Sequence, residues 1–104
     1  MHVQIATFGL NGITEAEYHE ACQEETSTFA AIDGLLAKTW LRNPDTSTYG
    51  AVYLWRDREA YEGYVSGEVW AAVAGDSSLT DVKSSEFDVF EDLTKATQPG
   101  VTVC

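Results

Sequence analysis

The chain has 104 residues, enough for one small domain with a modest core. Its net charge of −11 argues against nucleic acid and against anionic membrane surfaces, because both are bound by neutralising phosphate with Lys and Arg. No apolar run approaches membrane-spanning length, and the N-terminus lacks a basic region followed by an apolar one, so a cytoplasmic protein is expected.

Residues 3–8 read as a first strand, apolar on both sides as a central strand would be. A loop over 9–13 leads to Thr14, with Glu17 three residues on, which is the pattern of a capping box. The helix that follows is expected to run to about Ile32 and to end at Asp33-Gly34. One face of it carries Tyr18, Ala21, Cys22, Glu25, Phe29 and Ile32. Glu15, Glu17, Glu20 and Glu24 lie mostly elsewhere and read as solvated surface. The two cysteines, Cys22 and Cys104, form no CxxC, and a reduced intracellular chain is the default. His19 and Cys22 stand one turn apart. Two ligands without a further cluster make a poor metal site, so no metal is expected, and His19 reads as a surface residue.

Residues 35–42 and 49–56 form a hairpin around the turn Asn43-Pro44-Asp45-Thr46. With Asn43 opposite Tyr49, one face would set Trp40 against Val52 and Lys38 against Leu54. The other would set Leu41 against Ala51, Thr39 against Tyr53 and Ala37 against Trp55. This second face is uncharged and is expected to meet the interior. A slip by one residue would scramble both sets.

Asp57 reads as the N-cap of a second helix, broken near Ser66-Gly67 and resuming over 68–74 with Val69, Trp70 and Val73. The last strand is placed at 82–90. A single domain is therefore expected over 1–93, with a C-terminal tail over 94–104 that is disordered or lies on a neighbour. The order βαββαβ predicts a four-stranded antiparallel sheet with helices on one face, an α+β, ferredoxin-like fold. The opposite face would leave Trp40, Val52 and Leu54 wet, so a homodimer through the sheet faces is expected.

Gly34-Leu35-Leu36-x-Lys38-x-Trp40, followed after a short turn by Tyr49-Gly50-x-Val52-Tyr53-Leu54-Trp55-x-Asp57, resembles the YdhR-type monooxygenase family of the dimeric α+β barrel superfamily. That superfamily includes the antibiotic-biosynthesis monooxygenases. Phe87-Asp88-Val89-x-Glu91-x-Leu93 resembles its last strand, and the likeness extends over nearly all of the chain to about Leu93. The resemblance implies the same dimeric assembly.

No nucleophile elbow, phosphate loop or dinucleotide fingerprint is present. The expected site is a cleft between helices and sheet. Tyr18, Cys22, Glu25 and Phe29 would line it from the helix, Thr39, Tyr53 and Trp55 from the sheet, and Trp70 at one end. Such a cleft suits a flat, small aromatic or apolar ligand, although each of these residues also reads as ordinary core. Related oxygenases act on activated aromatic substrates without metal or flavin, so the resemblance implies a cofactor-independent monooxygenase taking a small aromatic or polyketide-like substrate. A non-catalytic small-molecule binding protein and an isomerase or cyclase on the same scaffold are the alternatives. Glu25 is the unexpected residue of the apolar face. It turns its stem to water, pairs as structure, or projects into the cleft as the acid or base.

Overall fold

A computed structural model describes residues 1–97. Local chemistry sets the boundaries of the elements. β1 (His2–Leu10) leads to Thr14, whose hydroxyl accepts from the Glu17 backbone at 3.1 Å, while the Glu17 carboxylate accepts from the Thr14 backbone at 2.9 Å. This reciprocal cap starts α1 (Glu15–Ala30), and Gly34 follows its end with φ 84°. β2 (Leu35–Asn43) and β3 (Thr48–Trp55) form the hairpin. Asp57 caps α2 (Arg58–Val65) by accepting from the Ala60 backbone at 2.8 Å, and the expected break separates it from α3 (Glu68–Ala74). β4 (Leu79–Asp88) starts earlier than the sequence suggested. β4 also ends at Asp88, and α4 (Glu91–Ala96) is a short helix that takes Glu91 and Leu93 out of the expected last strand and crosses the expected start of the tail at 94; residues 98–104, with Cys104, lie outside the described residues.

The four strands form one antiparallel sheet in the order β2-β3-β1-β4, the ferredoxin-like arrangement expected from the order of elements. β1 and β3 are central and alternate in burial over His2–Phe8 and, apart from the buried Gly50, over Thr48–Trp55. His2, Gln4, Ala6 and Phe8 of β1 and Tyr49, Ala51, Tyr53 and Trp55 of β3 are buried on the helix side. Trp55 is fully buried and donates its indole N–H to Gln4 at 3.2 Å, and Gln4 donates on to Ser84 at 3.0 Å, so the buried amide is satisfied. Tyr53, Trp55 and Tyr64 pack as a ring cluster, with Trp70 of α3 against Tyr64.

The hairpin register corrects the expectation. Asn43 pairs with Thr48, not Tyr49, because the loop holds four residues, with Ser47 at φ 52°. The shift of one leaves β3 as expected and turns β2 over. Lys38 and Trp40 join the helix side opposite Tyr53 and Ala51, and Ala37, Thr39 and Leu41 move to the open face. A bulge between Leu35 and Ala37 brings Leu35 back opposite Trp55. The open face therefore presents Val3, Ile5, Val52, Leu54, Leu41 and Phe87 from four strands, and Trp40 is not part of it. Among the described residues, no helix is long and apolar enough to cross a membrane.

Candidate functional site

α1 buries only Phe29. Its termini are tied down and its middle is not. At the N-terminal end, Tyr18 packs edge-on between Phe8 and Tyr49, and Glu15 accepts from the Tyr49 hydroxyl at 2.9 Å and pairs with Arg42 at 3.0 Å. At the C-terminal end, Phe29 meets Trp40, Tyr53 and Tyr64. Between these anchors the helix roofs a cavity of about 400 Å³.

Tyr18, Ala21, Cys22, Glu25 and Phe29 line the cavity from α1, and Phe8, Lys38, Trp40, Ala51 and Tyr53 from the sheet. Val69, Ala72 and Val73 close it from α3. Five of the residues singled out from sequence thus share one cavity. The other three stand elsewhere. Thr39 lies on the open face, a correction that follows from the register. Trp55 is sealed behind Tyr53, their rings stacked at 5.9 Å, and Trp70 packs on Tyr64. Lys38 and Trp40 take the place expected for Thr39. One signal for them was present: Lys38 is the only charge in residues 35–41 and stands two positions from Trp40, hence on the same strand face.

The Lys38 ammonium sits 3.1 Å from the Phe29 ring centroid, 3.5 Å from that of Trp40 and 4.9 Å from that of Tyr53. Such contacts are favourable for a cation. Burial nevertheless pulls its pKa down to about 7, against the milder upward pull of Cys22 and Glu25. Burial and the neighbouring Cys22 thiol hold the Tyr18 phenol far above its usual range, and burial also pushes up Cys22 and Tyr53. These three groups are neutral at ordinary pH, so Cys22 is a poor nucleophile here. Glu25, exposed, stands with Glu68 and Asp76 among the lining residues and makes the mouth acidic.

A second groove of about 620 Å³ runs along the other side of α1, past Glu15, His19 and Arg42, and shares Tyr18, Cys22 and Trp40 with the cavity. His19 is exposed there, outside the cavity. Among the described residues, no three His, Cys, Asp or Glu side chains come together as metal ligands.

The family described as "Putative mono-oxygenase ydhR" matches residues 3–99. No curated protein sequence matches the chain. Solved structures with the same fold include the heme-degrader MhuD from Mycobacterium tuberculosis, with two hemes bound in its active site. It is 22% identical with a TM-score of 0.70, over 86% of this chain and 96% of that one. SnoaB, a cofactor-independent oxygenase from Streptomyces nogalater, is 19% identical with a TM-score of 0.67, over 85% and 91%. A protein from Deinococcus radiodurans described as a "putative antibiotic biosynthesis monooxygenase" is 14% identical with a TM-score of 0.69, over 86% and 92%. At these identities the likeness is one of fold.

Proposed function

The chain belongs to the ydhR mono-oxygenase family, and from that membership we propose that it oxygenates a small aromatic or polyketide-like substrate without metal or flavin. The observation that carries this reading is the cavity under α1, whose ring-lined walls and few polar groups fit a flat, electron-rich molecule. The solved relative described as a cofactor-independent oxygenase supports the absence of a cofactor. In this scheme the substrate, once deprotonated, gives its electrons to O₂. One oxygen atom enters the ring, the other leaves as water, and a phenol becomes a quinone. The protein supplies burial, orientation and a base.

Glu25 is the proposed base. It lines the cavity and is open to water, a position from which it would take a proton from a substrate in the cavity and release it to solvent. Tyr18, Cys22, Phe29 and Tyr53 hold the ring system. Glu25→Gln keeps the shape and removes the titrating carboxylate. We expect it to bind substrate normally and to turn over about 10²-fold more slowly. Unchanged turnover would remove Glu25 from the role.

Oxygen uptake by the dialysed protein, measured against a panel of phenols, quinols and enols, tests the whole reading. The expected product carries one added oxygen atom. Ligand binding without uptake would identify a binding protein instead, and a product of unchanged mass an isomerase or cyclase. Elemental analysis and an absorbance scan of the active protein should find neither a stoichiometric transition metal nor a flavin band. Either one would overturn the cofactor-free scheme.

The assembly proposed is a homodimer through the open sheet face, in the cytoplasm and without a nucleic-acid or membrane partner. Val3, Ile5, Val52, Leu54 and Phe87 share that face and support this reading, since a two-fold dimer would bury one such apolar surface against another.

A further inference from the structure

Lys38 stands apart from the three arginines. Arg42, Arg56 and Arg58 each pair with a carboxylate. Among the described residues, the Lys38 ammonium has no ion-pair or side-chain hydrogen-bond partner, and it is half-buried rather than sealed from solvent. Its ammonium opens into the cavity among the faces of Phe29, Trp40 and Tyr53. Ring faces attract the charge but accept no conventional hydrogen bond from its three N–H groups. Within the protein this half-buried cation has no oxygen acceptor, and an oxygen on a ligand in the cavity can take the place of the solvent that reaches it.

The surroundings restrict what that acceptor can be. The chain carries a net charge of −11, and Glu25, Glu68 and Asp76 line the same cavity. A compact, strongly hydrated anion meets repulsion at the mouth and apolar walls within. A flat anion with its charge spread over a ring system can stack on the aromatic walls and place one oxygen on Lys38. We infer that Lys38 is the specificity-determining residue of the cavity and selects the deprotonated form of a flat phenol or enol. This rests on the reading of the cavity as an aromatic-substrate site. It adds that the anion is the form the cavity holds once Glu25 has taken the proton, and which residue holds its oxygen.

The depressed pKa of Lys38 gives the inference a pH signature. An ion pair needs the ammonium, and the unliganded lysine loses its proton as pH climbs through about 7. A phenol loses the pairing from the other side, as pH falls below its own pKa. Affinity is therefore highest between the two values and declines on the alkaline side as Lys38 deprotonates.

The probe is 4-nitrophenol, which titrates near neutrality and changes absorbance on ionising, with its methyl ether 4-nitroanisole as the neutral control. Both are titrated into the full chain without oxygen. The bound phenol is expected to show the phenolate band at a pH where the free compound is mostly protonated. Lys38→Met keeps the stem and removes the charge. It should weaken nitrophenol binding about ten- to hundredfold and abolish the shifted band, while changing nitroanisole binding by less than about twofold. Equal loss for both probes, as from a collapsed cavity, would overturn the inference. So would a shifted band that survives in Lys38→Met, or a wild type that prefers the ether. Because no turnover is measured, the two readings fail separately. Lysine-dependent phenolate binding with no oxygen uptake across the panel of phenols, quinols and enols sinks the oxygenase and leaves this assignment standing.

Discussion

Replacing Gly50 with alanine is expected to destabilise the protein by about 4 kcal/mol and to lower its melting temperature by roughly 15–30 °C. Gly50 lies within β3, between its partners Leu41 on β2 and Thr7 on β1, with φ 152°. An added β-carbon would overlap the Ala6 carbonyl oxygen and press on the Thr7 backbone. Neither neighbour can step aside, because both belong to the ladder of a central strand. The residue must abandon its backbone conformation, or β1 and β3 must part. A domain of this size has about 5–15 kcal/mol to lose, so the loss is a large fraction of the whole. Gly12→Ala is the control. Gly12 also has positive φ, at 77°, but an added β-carbon there meets nothing within 4 Å, so only about 1 kcal/mol of backbone strain is expected. Thermal melts of the two variants decide the matter. A Gly50→Ala melting point within about 5 °C of wild type would show that the strands do not approach as described.

Leu54→Glu is expected to convert the proposed dimer to a monomer. Leu54 sits on the open face opposite Val3 on one side and Ala37 on the other. Two sheets packed through this face would bury it, and an ionised, unpaired carboxylate in that position costs several kcal/mol. Association should weaken by about a hundredfold or more. In a monomer the same carboxylate would face water and cost little, so circular dichroism should report an intact fold while light scattering reports half the mass. Trp40→Glu would not make the same test, because Trp40 lies on the other side of the sheet, against Phe29. A wild type that is monomeric at micromolar concentration would sink the assembly, and a dimeric Leu54→Glu would move the interface elsewhere.

Much of the local structure was legible from residues close together in the chain. Thr14 and Glu17 announce the start of α1, Asp57 announces α2, and Ser66-Gly67 marks the interruption between α2 and α3. The α1 face of Tyr18, Ala21, Cys22, Glu25 and Phe29, read from a period of 3.6 residues, is the face that lines the cavity. The order of elements was enough for the ferredoxin-like sheet. Each of these signals is complete within one turn of helix, one cap, or one alternating run, so the sequence contains the whole cause.

The side on which β2 places its residues is a different kind of fact. A strand alternates with period two, so its pattern defines two faces but not which one meets the helices. For β3 the burial of Tyr53 and Trp55 could be read directly, because large rings dominate one face. β2 sets Lys38 and Trp40 on one face and Thr39 and Leu41 on the other, neither plainly the interior one, and its orientation depends on whether the turn holds four residues or five. The four-residue turn, ending in Ser47 at positive φ, moved Thr39 out of the cavity and brought Lys38 in. The burial that lowers the Lys38 pKa follows from that turn and from Phe29 folding over the strand, across a sequence separation no local pattern reports. The sequence by itself determined the elements, their order and the lining face of α1. Register, and with it the place of the Lys38 ammonium in the cavity, was decided by tertiary packing.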